Sequence, residues 1–247
     1  MGRADGRSVL VTGATSGIGL ATARLLRDEG ARVVATGRRA ESVEAARVEL
    51  GVGVDVVRSD IADTADVEEL VGLLRETRAG LDLVVVNAGI TAMAAVEEVT
   101  PELYDRLFAV NTRGPYLLLQ RLAPLIRAGG AVVVTTSVAD EKGLAGSSVY
   151  AATKAALRSM VRSFARELEP CGVRVNAVSP GPIDTGILER STTPEVAAAA
   201  RAQMTAVNPM GRFGRPEEVA AAIAFLGLEA TFTTGAELPV DGGASQL

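Results

Sequence analysis

Histidine is absent from this chain of 247 residues, and that absence removes two large classes of catalyst. Without an imidazole there is no Ser-His-Asp hydrolysis and no His-ligated metal catalysis. The single cysteine, Cys171, permits no internal disulfide and fits a reducing, cytoplasmic compartment. No uninterrupted apolar run approaches the ~18 residues of a membrane span. The opening Met-Gly-Arg-Ala-Asp-Gly-Arg offers no apolar stretch that would serve as a signal peptide, so no membrane partner is expected. Lys and Arg number 25 against 30 Asp and Glu, a net charge of −5, with the two signs interspersed. The lack of a basic block argues against nucleic acid as the main partner.

What is present is apolar and rich in Ala and Val. Hydrophobic residues make up 48% of the chain, enough for a large core, and this length is common for one α/β domain. Apolar runs predict strands near 8–12, 31–36, 54–58, 82–87, 130–136, 172–178 and 236–240. Helical patterns fall between them, near 18–29, 40–50, 64–79, 100–127, 148–169 and 216–228. This alternation reads as βαβ units in a single α/β domain. The expected architecture is a doubly wound parallel sheet of about seven strands with helices on both faces and right-handed connections. The stretch 182–214 breaks the alternation after the sixth strand, at the edge where such sheets bind ligands. It reads as a substrate lid, with an idle surface helix pair as the other reading.

Two stretches carry chemistry. Ser8-Val-Leu-Val-Thr-Gly-Ala-Thr-Ser-Gly-Ile-Gly-Leu20 runs from a β-branched strand through Gly13, Gly17 and Gly19 into a helix. Strand, glycine turn and helix N-terminus form the dinucleotide-phosphate site of a Rossmann unit. The spacing Gly-x-x-x-Gly-x-Gly differs from the commoner Gly-x-Gly-x-x-Gly, and a plain strand-to-helix turn is the competing interpretation. The second stretch is Tyr150-Ala-Ala-Thr-Lys154. Positions i and i+4 share a helix face, with Cβ atoms about 5–6 Å apart. An ammonium that close favours the phenolate, lowering the tyrosine from its reference of about 10 and suiting it to proton exchange with a carbonyl oxygen. Ser137, thirteen residues upstream, could donate to the same oxygen. By itself a Tyr-x-x-x-Lys is weak, because exposed helices carry it by chance.

Together these stretches resemble the short-chain dehydrogenases/reductases, and the resemblance covers nearly the whole chain. Thr12-Gly-Ala-Thr-Ser-Gly-Ile-Gly19 matches that family's cofactor turn, and Asn87-Ala-Gly89 its second glycine motif. Asn111, Ser137, Tyr150 and Lys154 match its catalytic tetrad in order and spacing. The resemblance implies that Gly13, Thr15, Ser16, Gly17, Ile18 and Gly19 hold the cofactor phosphates, and that Asn87, Ala88 and Gly89 support them. Asp60 would meet the adenine with Ile61 beside it, an N-cap role being the alternative. Pro180, Gly181, Ile183 and Thr185 would hold the nicotinamide end. Lys154 would also bond the nicotinamide ribose, and Asn111 would distort its helix and anchor a water of a proton relay; a satisfied core amide is the bland alternative. No metal is implied. An enoyl reductase is disfavoured, since that relative spaces its Tyr and Lys by seven positions.

Cofactor choice is read from Ala31-Arg-Val-Val-Ala-Thr-Gly-Arg-Arg39. NAD sites place an acid at the end of the second strand to accept from the ribose hydroxyls. Gly37 stands there instead and Arg38 follows, which favours NADP(H) through a guanidinium on the 2′-phosphate. Two solvated arginines are the competing interpretation. The expectation is an NADP(H)-dependent ketoreductase acting on a small carbonyl or alcohol. Its pocket would be apolar, drawing on Met93, Val138, Ala139, Leu144, Met204 and Phe213. A 3-oxoacyl carrier-protein reductase and a non-catalytic NADP-binding regulator are the alternatives. Gly129-Gly130 and Cys171, read as lying near the site mouth, weigh against the former. The apolar excess of the helices near 100–127 and 148–169 predicts a homotetramer, or failing that a dimer.

Overall fold

Strands that expose neither face build the centre of the molecule. In the computed structural model, which describes residues 2–191 and 193–247, Ser8–Val11 (β1) is buried at every position. Leu81–Val86 (β4) and Arg174–Pro180 (β6) are buried nearly throughout, as strands covered on both sides must be. With Arg32–Gly37 (β2), Val54–Arg58 (β3), Ile126–Thr135 (β5) and Glu237–Val240 (β7) they form one sheet in the order β3-β2-β1-β4-β5-β6-β7. Every pairing is parallel, and the Rossmann-type fold is the one expected.

One face of the sheet is covered by Gly17–Asp28 (α1), Ala40–Leu50 (α2) and Pro216–Ala224 (α9), which bury Leu26, Leu50 and Ile223 with Val9, Val33 and Val133. The other is covered by Thr64–Thr77 (α3), Gly114–Leu122 (α5) and Ser148–Leu168 (α6), with Leu74, Leu118 and Leu157 packed on Leu10, Val84 and Val132. Strand order reverses between β1 and β4, so a crevice opens at their carboxyl ends. The glycine turn after β1 and the Asn87 turn after β4 both lie there.

Two boundaries differ from the sequence pattern. The helix expected over 100–127 is Pro101–Phe108 (α4), a π-helical turn Ala109–Arg113, and then α5, after which a 3₁₀ turn carries Pro124. Apolar Leu125 and Ile126 continue the helical spacing, yet Ile126 already belongs to β5. Leu81 pairs with Ile126 and Leu83 with Ala131, so a bulge takes up Arg127–Gly130 where Gly129 has φ +84°. The last helix ends at Ala224 and continues as a π turn, Phe225–Glu229, whose Leu226 and Gly227 carbonyls accept from Arg174 at 2.7 and 2.9 Å.

Residues 182–214 hold Ile187–Ser191 (α7) and Pro194–Val207 (α8). Ile183 bridges Gly214 at the base of this excursion. Arg201 ties it together, pairing with Asp184 at 2.8 Å and Glu189 at 2.6 Å and lying 4.7 Å from the Phe213 ring centroid. Among the described residues no helix is long and apolar enough to cross a membrane.

Candidate active site

The first loop is fixed by close backbone approaches. Gly13 has φ +63°, and a Cβ there would lie 2.7 Å from the Ala88 Cα. A Cβ on Gly19 would lie 2.3 Å from the Gly13 carbonyl oxygen and 2.5 Å from the Asn87 amide nitrogen. Neither contact leaves room for a side chain. Asn87 Nδ2 donates to the Thr12 and Gly13 carbonyls at 3.1 and 3.2 Å, so Asn87 does clamp the glycine turn to the strand beside it. Thr12 Oγ1 accepts from the Asn87 and Ala88 N–H groups at 3.0 and 3.1 Å. Sequence reasoning used Thr12 only as part of a pattern, although a hydroxyl between a buried strand and a glycine was the available signal.

The helix that follows begins at Gly17, φ +54°. Ser16 makes no side-chain cap, and the first turn holds no acidic residue. Its opening amides are therefore suited to an anion. A Cβ on Gly17 would come within 2.9 Å of Thr185 Cγ2, so the end of β6 folds back onto the phosphate turn. Two of the expected cofactor contacts have side chains committed elsewhere. Ile61 and Ile183 are buried in the two cores, so their side chains are not free to meet a ligand. Asp60 is not an N-cap: its Oδ1 accepts from the Ala62 N–H at 3.0 Å, and Asp63 caps α3. Arg38 Nε stands 4.0 Å from Asp60 Oδ2, with the guanidinium half-exposed.

The candidate catalytic cluster is assembled by α6, the segment after β5 and the π turn. Asn111 is completely buried. Its Oδ1 accepts from the Ile90 N–H at 2.8 Å, and its Nδ2 donates to the Ile90 carbonyl at 2.9 Å and to Thr153 Oγ1 at 3.1 Å. Thr153 in turn donates to the Tyr150 carbonyl at 2.7 Å. The amide thus sits inside the π turn and ties α6 to the loop after β4. Thr153, a spacer in the sequence motif, is one of the residues that the pattern hid. Ser137 follows β5, its Oγ accepting from the Ala139 N–H at 3.2 Å.

Lys154 is buried, donates to the Thr135 carbonyl at 2.9 Å, and lies 5.9 Å from the centroid of the Tyr150 ring. A Cβ on Gly89 would lie 3.3 Å from Asn111 Oδ1 and 3.5 Å from Lys154 Nζ, so the second glycine motif closes over both. One expectation is corrected. Lys154 was expected to depress the tyrosine, but burial pushes the Tyr150 phenol above its ordinary value, opposed by the Ser137 hydrogen bond. Burial also brings Lys154 down to about 8. The Lys154 ammonium is directed at the Thr135 carbonyl, and burial sets the direction of the tyrosine's shift.

A second correction concerns Gly129-Gly130 and Cys171. Gly129 N–H donates to the Gly172 carbonyl at 2.8 Å, so these turns do adjoin. They lie before the body of β5 and before β6, at the end of the sheet opposite Ser137. They say nothing about the mouth of the site.

A Rossmann sheet with half-buried Ser137 and Tyr150 beside a buried Lys154 defines a class, the nicotinamide-dependent oxidoreductases of C=O and CH–OH groups. The comparisons narrow it. Residues 13–245 match the family model described as Enoyl-(Acyl carrier protein) reductase. The chain is 40% identical over 243 residues to the cis-4-hydroxycyclohexanecarboxylate dehydrogenase of Sinomonas cyclohexanicum, covering 96% of each. It is 36% identical over 249 residues to the 3-oxoacyl-(acyl-carrier-protein) reductase FabG of Thermotoga maritima, covering 98% of each. A solved structure of a Brucella melitensis protein, described as short-chain dehydrogenase/reductase SDR:Glucose/ribitol dehydrogenase, matches with a TM-score of 0.92 at 32% identity, covering both chains fully. This chain belongs to the short-chain dehydrogenase/reductase family.

Proposed function

We propose that the protein is an NADP(H)-dependent ketoreductase, interconverting a carbonyl compound and its secondary alcohol. The observation that carries this is the buried Lys154, 5.9 Å from the ring centroid of Tyr150, with the Ser137 hydroxyl acting on the same phenol. The bound dinucleotide supplies or accepts the hydride. The open amides of α1, with Gly13 and Gly17 in conformations that favour glycine, suit its pyrophosphate. Thr15, Ser16, Ile18 and Gly19 line that turn. Ala88 and Gly89 flank it on one side, and Pro180, Gly181 and Thr185 on the other. Arg38 is suited to a 2′-phosphate, since Gly37 brings no carboxylate to repel it.

The chain's own chemistry is proton management. Tyr150 Oη donates its proton to the carbonyl oxygen in the reducing direction. Ser137 Oγ donates a hydrogen bond to the same oxygen and stabilises the charge that develops on it. A phenol held above its usual value keeps its proton at neutral pH, as an acid in reduction must. Lys154 places a positive charge behind the phenol, and Asn111 holds that lysine's surroundings in place. Reduction is the working direction because cellular NADP pools are mostly reduced. The excursion at 182–214 acts as the substrate lid, and the protein works as a cytoplasmic homotetramer.

Lys154 follows Tyr150 by four positions, which favours carbonyl over enoyl reduction despite the name of the matching family model. The similarity to FabG keeps a 3-oxoacyl thioester substrate as the alternative. A non-catalytic regulator is disfavoured, because all four tetrad positions are retained in the sequence. A panel of ketones, 3-oxoacyl thioesters, enoyl thioesters and quinones, followed by loss of NADPH absorbance, tests the reading. Turnover of ketones supports it. Turnover of enoyl thioesters alone, or of nothing in the panel, rejects it.

A further inference from the structure

The longer helix of the 182–214 excursion is barely held by packing. Of the described residues of α8, Ala197 alone is buried, so the helix has little apolar hold on the body beneath it. The next buried residue is Asn208, which follows the helix directly. Burying an amide is costly unless both its ends find partners, so the partners of Asn208 decide where the end of α8 sits.

Asn208 finds both. Its Oδ1 accepts from the Met210 N–H at 2.9 Å, which closes the turn after α8 on itself. Its Nδ2 donates at 2.8 Å to the carbonyl of Asp241, 33 residues away in the turn after β7. The fit is close, since a Cβ on Gly242 would lie 2.6 Å from the same Oδ1.

The Asp241 turn is closed by its own hydrogen bonds. The carboxylate accepts from the Gly243 and Ser245 N–H groups at 2.9 and 2.7 Å, and from the Ser245 hydroxyl at 2.6 Å. The turn also reaches two other walls of the site. Gly181 N–H donates to the Val240 carbonyl at 3.1 Å, and a Cβ on Gly181 would lie 2.7 Å from the Asp241 Cβ. Lys142, in the loop after Ser137, donates to the Ala244 carbonyl. One turn thus touches the segment after β6, the loop after Ser137 and the foot of α8.

We propose that Asn208 is a positioning residue, the tether that fixes α8 to the Asp241 turn and so sets the lid against Gly181. The proposal rests on reading 182–214 as the substrate lid. Arg201 binds the excursion to itself, through Asp184 and Glu189, whereas Asn208 binds it to the turn after β7.

The test compares two variants. Asn208→Ala removes both bonds. Asn208→Asp, at about pH 8 where a carboxylate is ionised, keeps the acceptor for Met210 and loses the donor to Asp241. Hydrogen exchange read by mass spectrometry follows the tether without any substrate. In both variants peptides from α8 should exchange roughly fivefold faster or more, while peptides from β1 and β4 keep their wild-type protection. On whichever carbonyl compound is turned over, KM should rise by a similar factor while NADPH binds as in wild type.

Wild-type exchange in α8, or loss of protection throughout the molecule, overturns the proposal. Faster exchange in Asn208→Ala but not in Asn208→Asp makes Asn208 a helix cap, and overturns it as well. Faster exchange in α8 with an unchanged KM keeps the tether and rejects the lid reading of 182–214 instead. If Asn208→Ala does not fold, Asn208→Asp decides alone.

Discussion

Thr15 fills the space that a side chain at residue 37 would need. A Cβ on Gly37 would lie 2.2 Å from Thr15 Cγ2 and 3.0 Å from its Oγ1, so the glycine turn and the end of β2 are sterically coupled. An acid cannot be introduced at residue 37 without displacing the threonine of the phosphate turn.

The coupling changes how cofactor selectivity is to be tested. Gly37→Asp alone, the swap that the sequence suggests, should weaken NADPH and NADH together. Gly37→Asp with Thr15→Gly should shift preference toward NADH. Arg38→Ala should cost a charge-assisted pair worth about 1.5–3 kcal/mol, roughly ten- to a hundredfold in NADPH affinity, and leave NADH nearly unaffected. Dissociation constants from titration calorimetry at fixed low salt measure this. An unchanged NADPH to NADH ratio in Arg38→Ala makes Arg38 a solvated residue.

Tyr150→Phe keeps the ring in its half-buried slot and removes the proton. Turnover should fall at least about a hundredfold while NADPH still binds. Full activity in the variant would remove Tyr150 from the mechanism.

Asn111→Ala leaves the Ile90 N–H and carbonyl without the partners they have at 2.8 and 2.9 Å. Two stranded backbone groups in a part-buried setting should cost about 1–3 kcal/mol, read from chemical denaturation. Activity should fall further than stability explains, because the same amide holds Thr153 and the loop over Lys154. A loss of less than about 0.5 kcal/mol would mean that water replaces the amide.

Assembly has its own signature on the surface. Tyr104 stacks on Phe108 with centroids 4.6 Å apart, and Tyr116 meets Phe164 at 5.5 Å, yet Tyr104 and Tyr116 remain exposed. These rings lie on α4, α5 and α6, whose partnering would form one two-fold interface of the tetramer. Light scattering at micromolar concentration should give the tetramer mass, or a dimer if one interface is weak. A monomer would overturn the assembly.

The order of strands and helices, the glycine turn and the helical pairing of Tyr150 with Lys154 were legible in the chain. Each is a local pattern: periodicity separates strands from helices, and Tyr150 and Lys154 meet because a helix puts i and i+4 on one face. Where the pattern failed, a competing local signal persisted, as at Leu125 and Ile126, whose spacing is helical but whose pairing partner is Leu81. Distances along the chain conceal what the fold brings together. Thr15 meets Gly37, Thr185 meets Gly17, and Asn111 joins Ile90 to Thr153 only once the switch-point crevice has formed. Charge states belong wholly to the tertiary structure. Sequence spacing predicted a depressed tyrosine, but burial raised it, because desolvation depends on everything packed around a group and not on its neighbour in the motif.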